Sequence, residues 1–256
     1  MDSAAWHNSK ECRLPTGNQH GIKRKADFSK SLFNKNSGKG ELELYVGKLT
    51  RTVLRRERGG NPSDLAGENG MQRIVFIRHS EPDYSFVTER KYQGHGLDLA
   101  QLTENGIQIA ENASCDSRLN NAEIIVSSPY TRALQTAAII SKNRQLDIKI
   151  ELGLHEWMPD LSFQYSSKAE ASQADKLCLE YNGVCPDDSE IRFENFENVF
   201  NRAKNALLRY DKYKKIIVVT HQIVIRRFVF MPDIAFCGIS EIDFDESFSC
   251  AEFKFY

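Results

Sequence analysis

The chain changes character at Met71. Residues 1–70 are rich in Gly, Asn, Ser and Lys and hold no sustained hydrophobic period. Gly38 to Arg58 is the exception: Leu42, Leu44 and Val46 alternate like a short strand, and Leu49, Val53 and Leu54 make a small helical stripe. Neither is long enough to stand alone. Arg58-Gly59-Gly60-Asn61-Pro62-Ser63 then reads as a linker. From Met71 onward, apolar runs alternate with amphipathic stretches. Ile74–Ile77 predicts a buried strand, and Leu102 to Gly106 opens a helix capped by Thr103. Glu123–Val126 predicts a second strand. Ser128-Pro129 looks like a cap followed by Pro at the first helical position, and the helix runs through Ala133, Leu134, Ala137, Ala138 and Ile140.

Ile148–Leu152 is a third strand candidate, and residues 160–193 read as an inserted helix with loops. Phe196, Val199, Phe200, Ala203, Ala206 and Leu207 follow helical spacing. Ile216–Thr220 is a fourth strand, with another helix starting near Gln222. Glu241–Phe244 and Ser249–Phe255 alternate and predict a closing antiparallel pair. Strands separated by helices imply a three-layer α/β fold, with a mostly parallel central sheet and helices on both faces. No repeat appears at solenoid periods. The expected organisation is an extension over 1–70 and a functional domain over 71–256.

The net charge of −1 gives no global pull toward nucleic acid or membrane. Its distribution is uneven. Residues 1–70 carry 13 Lys and Arg against 8 Asp and Glu, and the remainder 21 against 27. The basic segment is expected to be a solvated, poorly ordered extension. An upstream addition, a regulatory arm and a misplaced start all fit it. Six cysteines stand at 12, 115, 178, 185, 237 and 250, none at C-x-x-C spacing, which argues against a zinc ribbon or thioredoxin-like site. The first residues lack a basic start followed by an apolar run, so no secretory signal is read there. No segment approaches the ~20 apolar residues that span a bilayer. The expectation is a cytoplasmic protein with free thiols.

Two places share one design. Ile74–Ile77 ends in Arg78-His79, and Ile216–Thr220 ends in His221. In open α/β sheets, ligands bind at the carboxyl ends of strands. A third strand ends at Ser127-Ser128, and the helix it feeds carries Arg132 in its first turn. One His after a strand is ordinarily a surface or core residue. Two histidines and two arginines aimed at one rim point to a phosphate site.

The segments around these residues carry a resemblance. Arg78-His79-Ser80-Glu81 is similar to the Arg-His-Gly-Glu signature of the histidine phosphatase superfamily, the phosphoglycerate mutase-like fold. The stretch from Gln93 to Gly106 resembles that family's next motif. Ser127-Ser128-Pro129-Tyr130-Thr131-Arg132-Ala133-Leu134-Gln135-Thr136-Ala137 is similar to its second-arginine motif. Leu154-His155-Glu156 resembles the segment holding its acid, and Val218-Val219-Thr220-His221 its second-histidine motif. The motifs come in family order across residues 74–228. Ser80 replaces the usual Gly, and Gln222 replaces the Gly common after the second His. Ser80 is small, whereas Gln222 either crowds the phosphate or adds a donor.

The resemblance implies a phosphatase without metal or other cofactor, acting on a small phosphorylated molecule. His79 would be the nucleophile, kept neutral by a cationic pocket. Arg78 and Arg132 would fork onto phosphate oxygens. His221, expected to be cationic, would hold a third oxygen. Glu156 would protonate the leaving oxygen and then activate water against phosphohistidine. Glu81, Glu151 and Asp160 are nearby acids and compete for that role. Further substrate contacts are expected from Ser85, Gln222, Arg90 and His95, with Tyr84 at the entrance. Tyr165, Lys168, Tyr181 and Trp157 are candidates for specificity. Sugar phosphates, nucleotides, cofactor precursors and phosphoproteins all fit. Two other readings stay open: a mutase returning the phosphoryl group to a sugar acid, and a non-catalytic phospho-ligand binding module. No nucleic-acid or membrane partner is expected, and an exposed sheet edge would support a homodimer.

Overall fold

Residues 71–165 and 167–249 are described by the structure, a computed structural model. The extension expected over 1–70 and the side chains of His95 and Lys168 lie outside the described residues.

The elements run β1 (Gln72–Arg78), β2 (Pro82–Asp83), α1 (Ser85–Glu89), β3 (Gln101–Leu102), α2 (Glu104–Ser114), β4 (Ile124–Ser127), α3 (Thr131–Arg144), β5 (Ile148–Ile150), α4 (Lys168–Glu180), α5 (Phe196–Leu207), β6 (Lys215–Thr220), α6 (Gln222–Arg226) and β7 (Ile239–Phe244). The main sheet has the order β5-β4-β6-β1-β7. Its first four strands are parallel, and β7 runs antiparallel to β1. The chain passes from β1 to β4, outward to β5, and returns to insert β6 between β4 and β1.

Strands buried on both faces have no polar side, which is why they read as continuous apolar runs. Ile74, Val75, Phe76 and Ile77 are all fully buried, as are Ile216 to Val219. Alternate residues serve opposite layers. Ile74, Phe76, Val126, Ile216 and Val218 pack with Cys178 of α4, Val199, Phe200 and Ala203 of α5, and Val224 and Ile225 of α6. Val75, Ile77, Ile125, Ile217 and Val219 pack with Ala110 of α2 and Ala133, Ala137 and Ile140 of α3. The expected three-layer arrangement follows.

Side-chain caps mark the starts of two helices, α2 and α4. The Thr103 hydroxyl accepts from the Gly106 amide at 2.8 Å, as the cap reading requires. Ser167 accepts from the Glu170 amide at 3.3 Å, a side-chain N-cap at α4, and its hydroxyl donates to the Glu170 carboxylate at 3.2 Å.

Two expectations are corrected. The helix after Ser128-Pro129 begins only at Thr131, with Tyr130 as a cap residue that makes no side-chain cap bond. The Ser128 hydroxyl is engaged elsewhere, on His221. The third strand stops at Ile150, and Leu152–Leu154 forms a 3-10 turn. β7 pairs antiparallel with β1, and the expected pairing with Ser249–Phe255 falls on residues of which 250–255 lie outside the described residues. No helix among the described residues is long and apolar enough to cross a membrane.

Candidate active site

Strand register builds the site. Arg78 stands opposite Thr220, so β1 and β6 run out level. The ladder continues one residue further: the His79 amide donates to the Thr220 carbonyl at 2.8 Å, and the Ser128 amide to the Val219 carbonyl at 2.9 Å. His79, His221 and Ser128 therefore leave three adjacent parallel strands at one edge. The two imidazoles are 5.1 Å apart between centroids. His79 is 5% exposed and His221 is fully buried.

Arg132, the second residue of α3, lies between them. Its Nε donates to His79 Nε2 at 3.3 Å, and its Nη2 faces His221 Nδ1 at 3.4 Å. A guanidinium has only donors, so each of those ring nitrogens is an unprotonated acceptor. The proton of His79 is then on Nδ1, which donates to the Ser80 carbonyl at 2.7 Å. The proton of His221 is on Nε2, 2.7 Å from the Ser128 hydroxyl. Burial drives the His79 pKa down to about 3, with Arg132 and Arg78 acting in the same direction. Burial and then Arg132 hold His221 well below the usual imidazole value. The expectation of a cationic His221 is thus corrected: with a guanidinium on one nitrogen it is neutral.

Stability should report this. An imidazole that protonates near 6.5 only when unfolded makes the unfolded chain the stronger proton binder below that pH. For His79 the window runs from about 6.5 down to about 3, and stability falls as pH falls through it. In urea unfolding, His79→Asn should lose on the order of 2 kcal/mol less than wild type between pH 7 and pH 5. Identical losses in the two proteins would remove the neutral-imidazole assignment.

Arg132 is pinned further by Asp98, whose Oδ1 is 3.5 Å from Nη1, and by the Tyr130 ring, 4.9 Å from the guanidinium. Arg78 donates through Nη1 to the Ile234 carbonyl and lies 4.5 Å from the Phe236 ring centre. Arg78 Nε and Arg132 Nη1 are buried and make no hydrogen bond within the protein. Orphaned buried donors are rare and mark sites that an acceptor completes. A tetrahedral oxyanion group is such an acceptor.

Glu156 lies within the field of both arginines. Burial raises its carboxyl above the ordinary glutamate value, although the Trp157 amide at 2.8 Å and the neighbouring arginines oppose the rise. The competing acids are committed elsewhere. Glu81 accepts from Thr103 at 2.5 Å and Asn105 at 2.9 Å. Glu151 holds Arg209 and the Tyr210 hydroxyl. Asp160 organises its own loop through Ser162, Gln164 and Tyr165.

The other sequence candidates divide between the cluster and the rest of the domain. Ser85 is exposed, with its amide on Asp83 at 2.8 Å. The exposed Arg90 lies 3.7 Å over the Phe86 ring. Trp157 is core, its indole donating to the Glu194 carbonyl at 2.6 Å, and Tyr181 is exposed at the end of α4. Gln222 begins α6 beside His221. Tyr84 lies in the field of Arg78, and Tyr165 in that of Arg132 and Asp98. Asp98, Tyr130 and Ser128 were visible only as members of motifs, with no chemistry of their own to mark them. Phe236 carried no signal.

The family model for the histidine phosphatase superfamily (branch 1) matches residues 74–231. Adenosylcobalamin/α-ribazole phosphatase of Escherichia coli (strain K12) is 26% identical over 168 residues, 62% of this chain and 80% of that protein. Among solved structures, the α-ribazole phosphatase of Shigella flexneri shares the fold with a TM-score of 0.51 at 23% identity, covering 70% of this chain and 94% of that one. A mycobacterial glucosyl-3-phosphoglycerate phosphatase does so with a TM-score of 0.51 at 19% identity, covering 69% and 92%. The matched span starts in β1, takes in both histidines, both arginines and Glu156, and covers well over half of the sequence: the chain belongs to the histidine phosphatase superfamily, branch 1.

Proposed function

We propose that this protein hydrolyses phosphomonoesters of small molecules through a covalent phosphohistidine on His79. The observation that carries the reading is the state of that imidazole: Nδ1 is tied to a carbonyl, and Nε2 is bare of its proton beside Arg132. A neutral imidazole is a competent nucleophile, and the protein otherwise needs to supply position and charge.

In the first step Nε2 attacks phosphorus and the P–O ester bond breaks. Glu156 gives its proton to the leaving oxygen. Arg78 and Arg132 take phosphoryl oxygens with the N–H groups that make no hydrogen bond within the protein. His221, neutral with Arg132 on one side, turns favourable to a proton once a phosphoryl anion adds negative charge next to it. In the second step Glu156, now ionised, removes a proton from water. The hydroxide attacks phosphorus, the P–N bond breaks, and inorganic phosphate and neutral His79 are released. Relatives named for α-ribazole and for glucosyl-3-phosphoglycerate phosphates support an organic phosphomonoester as the substrate class.

Purified protein incubated with p-nitrophenyl phosphate and with 3-phosphoglycerate tests this directly. Release of inorganic phosphate is the expected result. Isomerisation of 3-phosphoglycerate without release would replace hydrolysis by mutase chemistry, and no turnover across a broad phosphoester panel would leave a binding module. The same reading assigns catalysis to residues 71–256, with 1–70 dispensable. A chain starting at Met71 should match the full chain's activity.

A further inference from the structure

The segment that carries Glu156 leaves the 3-10 turn Leu152–Leu154 and runs on without a strand partner. The Glu194 amide serves the Met158 carbonyl at 2.9 Å, and the carbonyls from Gly153 to Glu156 take side-chain donors. Thr220 supplies one, to the Leu154 carbonyl at 2.7 Å. Arg202, on α5, reaches three more, sharing the Glu156 carbonyl with His155 Nδ1 at 2.7 Å. Its Nη1 donates to the carbonyls of Gly153 at 2.7 Å and His155 at 2.8 Å, and its Nη2 to that of Glu156 at 3.2 Å. Three consecutive-turn carbonyls on one rigid fork make a single geometric unit.

The fork is itself clamped. Arg202 Nε and Nη2 pair with the two oxygens of Glu194 at 2.7 and 3.0 Å. Glu194 is 4% exposed. It also fixes the far side of Glu156: its carbonyl accepts from the Trp157 indole at 2.6 Å and its carboxylate from the Met158 amide at 3.3 Å. Gly153 lets the turn lie directly on α5, because a Cβ there would stand 2.6 Å from the Arg202 carbonyl oxygen and 2.9 Å from Ala206 Cβ. Every residue from Gly153 to Met158 is thus tied, directly or through one neighbour, to the Arg202–Glu194 pair or to Thr220. Arg202 also adds positive charge near Glu156, favouring its ionised form.

We propose that Arg202, clamped by Glu194, is a positioning residue that sets where the Glu156 carboxyl stands relative to the leaving oxygen. The inference rests on the phosphatase reading with Glu156 as its acid. A nitrophenolate leaves without a proton, whereas an alkoxide needs one, so the two kinds of ester separate placement of the acid from everything else.

The experiment measures kcat/KM on p-nitrophenyl phosphate and on β-glycerophosphate for wild type, Glu156→Gln, Arg202→Met and Arg202→Lys. Misplacing a proton donor by about an ångström costs about 100-fold, so Arg202→Met should lose about that on the alkyl ester and less than about five-fold on the aryl ester, following Glu156→Gln. Its alkyl activity should also decline at a higher pH than in wild type, because the acid loses a cation that favours ionisation. Arg202→Lys keeps the charge without the fork, so it should retain the wild-type pH limb and still lose rate. Purely structural damage would move neither the ratio of the two esters nor the limb.

A folded Arg202→Met that slows both esters equally overturns the inference while leaving the phosphatase reading in place. If Glu156→Gln treats both esters alike, the acid role goes and the inference with it. Should Arg202→Met not fold, Glu194→Gln carries the comparison. A gap between the esters at least about five-fold wider than in wild type supports the proposal, and an unchanged ratio rejects it.

Discussion

His79→Ala lowers kcat on p-nitrophenyl phosphate by more than about 10³-fold, as removal of the nucleophile from a catalytic unit does elsewhere. The side chain has a fixed tautomer and an acceptor nitrogen facing a guanidinium, and it keeps 5% exposure where His221, with the same two features, is fully buried. Rapid mixing with ³²P-labelled substrate should give acid-labile, base-stable label on wild type and none on the variant. Both arginines survive the substitution, so KM should change far less than kcat. Label on the variant, or activity within ten-fold of wild type, would end the phosphohistidine mechanism. A second signature comes from pH. His79 is neutral down to about 3, so kcat/KM should show no loss near the ordinary imidazole value of 6.5 once the substrate's own ionisation is allowed for.

Arg132→Lys is expected to be nearly as damaging as Arg132→Ala, each costing about 10²–10³-fold in kcat, the magnitude of a lost oxyanion donor. Three directions of the guanidinium are in use at once: Nε on His79, Nη2 on His221, and Nη1 in an ion pair with Asp98 that leaves it without a hydrogen bond. An ammonium on a flexible stem reproduces one of these and loses the planar fork. Removing the guanidinium also lifts a charge that disfavours protonation of both imidazoles, so the Ala variant should lose activity with acid at a higher pH than wild type. Inhibition by inorganic phosphate should weaken alongside. Arg132→Lys within five-fold of wild type would show that Arg132 is not a phosphate ligand.

Gln222 and Ser80, the two departures from the family pattern, now differ in meaning. Ser80 is fully buried and its hydroxyl donates to the Gly106 carbonyl at 2.6 Å, while its amide donates to Thr136 at 3.0 Å. It therefore joins the His79 turn to α2 and α3, and its carbonyl fixes the His79 tautomer. Gln222 is half-buried at the first turn of α6, close to where a phosphoryl oxygen would sit against His221.

The arrangement of strands and helices, and the pairs Arg78-His79 and Thr220-His221, were legible in the sequence. Both depend on local pattern: a run buried on both faces is apolar throughout, and chemistry clusters where such a run ends. The motif resemblance put the acid at Glu156, while the residues by themselves left Glu81, Glu151 and Asp160 as competitors. Only folding showed that those competitors are committed to Thr103, to Arg209 and to the Ser162 loop. Nor did sequence show that Ser128 is a partner of His221, that Asp98 backs Arg132, or that Arg202 on an amphipathic helix turns inward to the acid's loop. The protonation of His221 was misread for the same cause. Local sequence determined which residues reach the sheet edge. Only folding decided their charge states and partners, because these depend on burial and on distances between segments tens of residues apart.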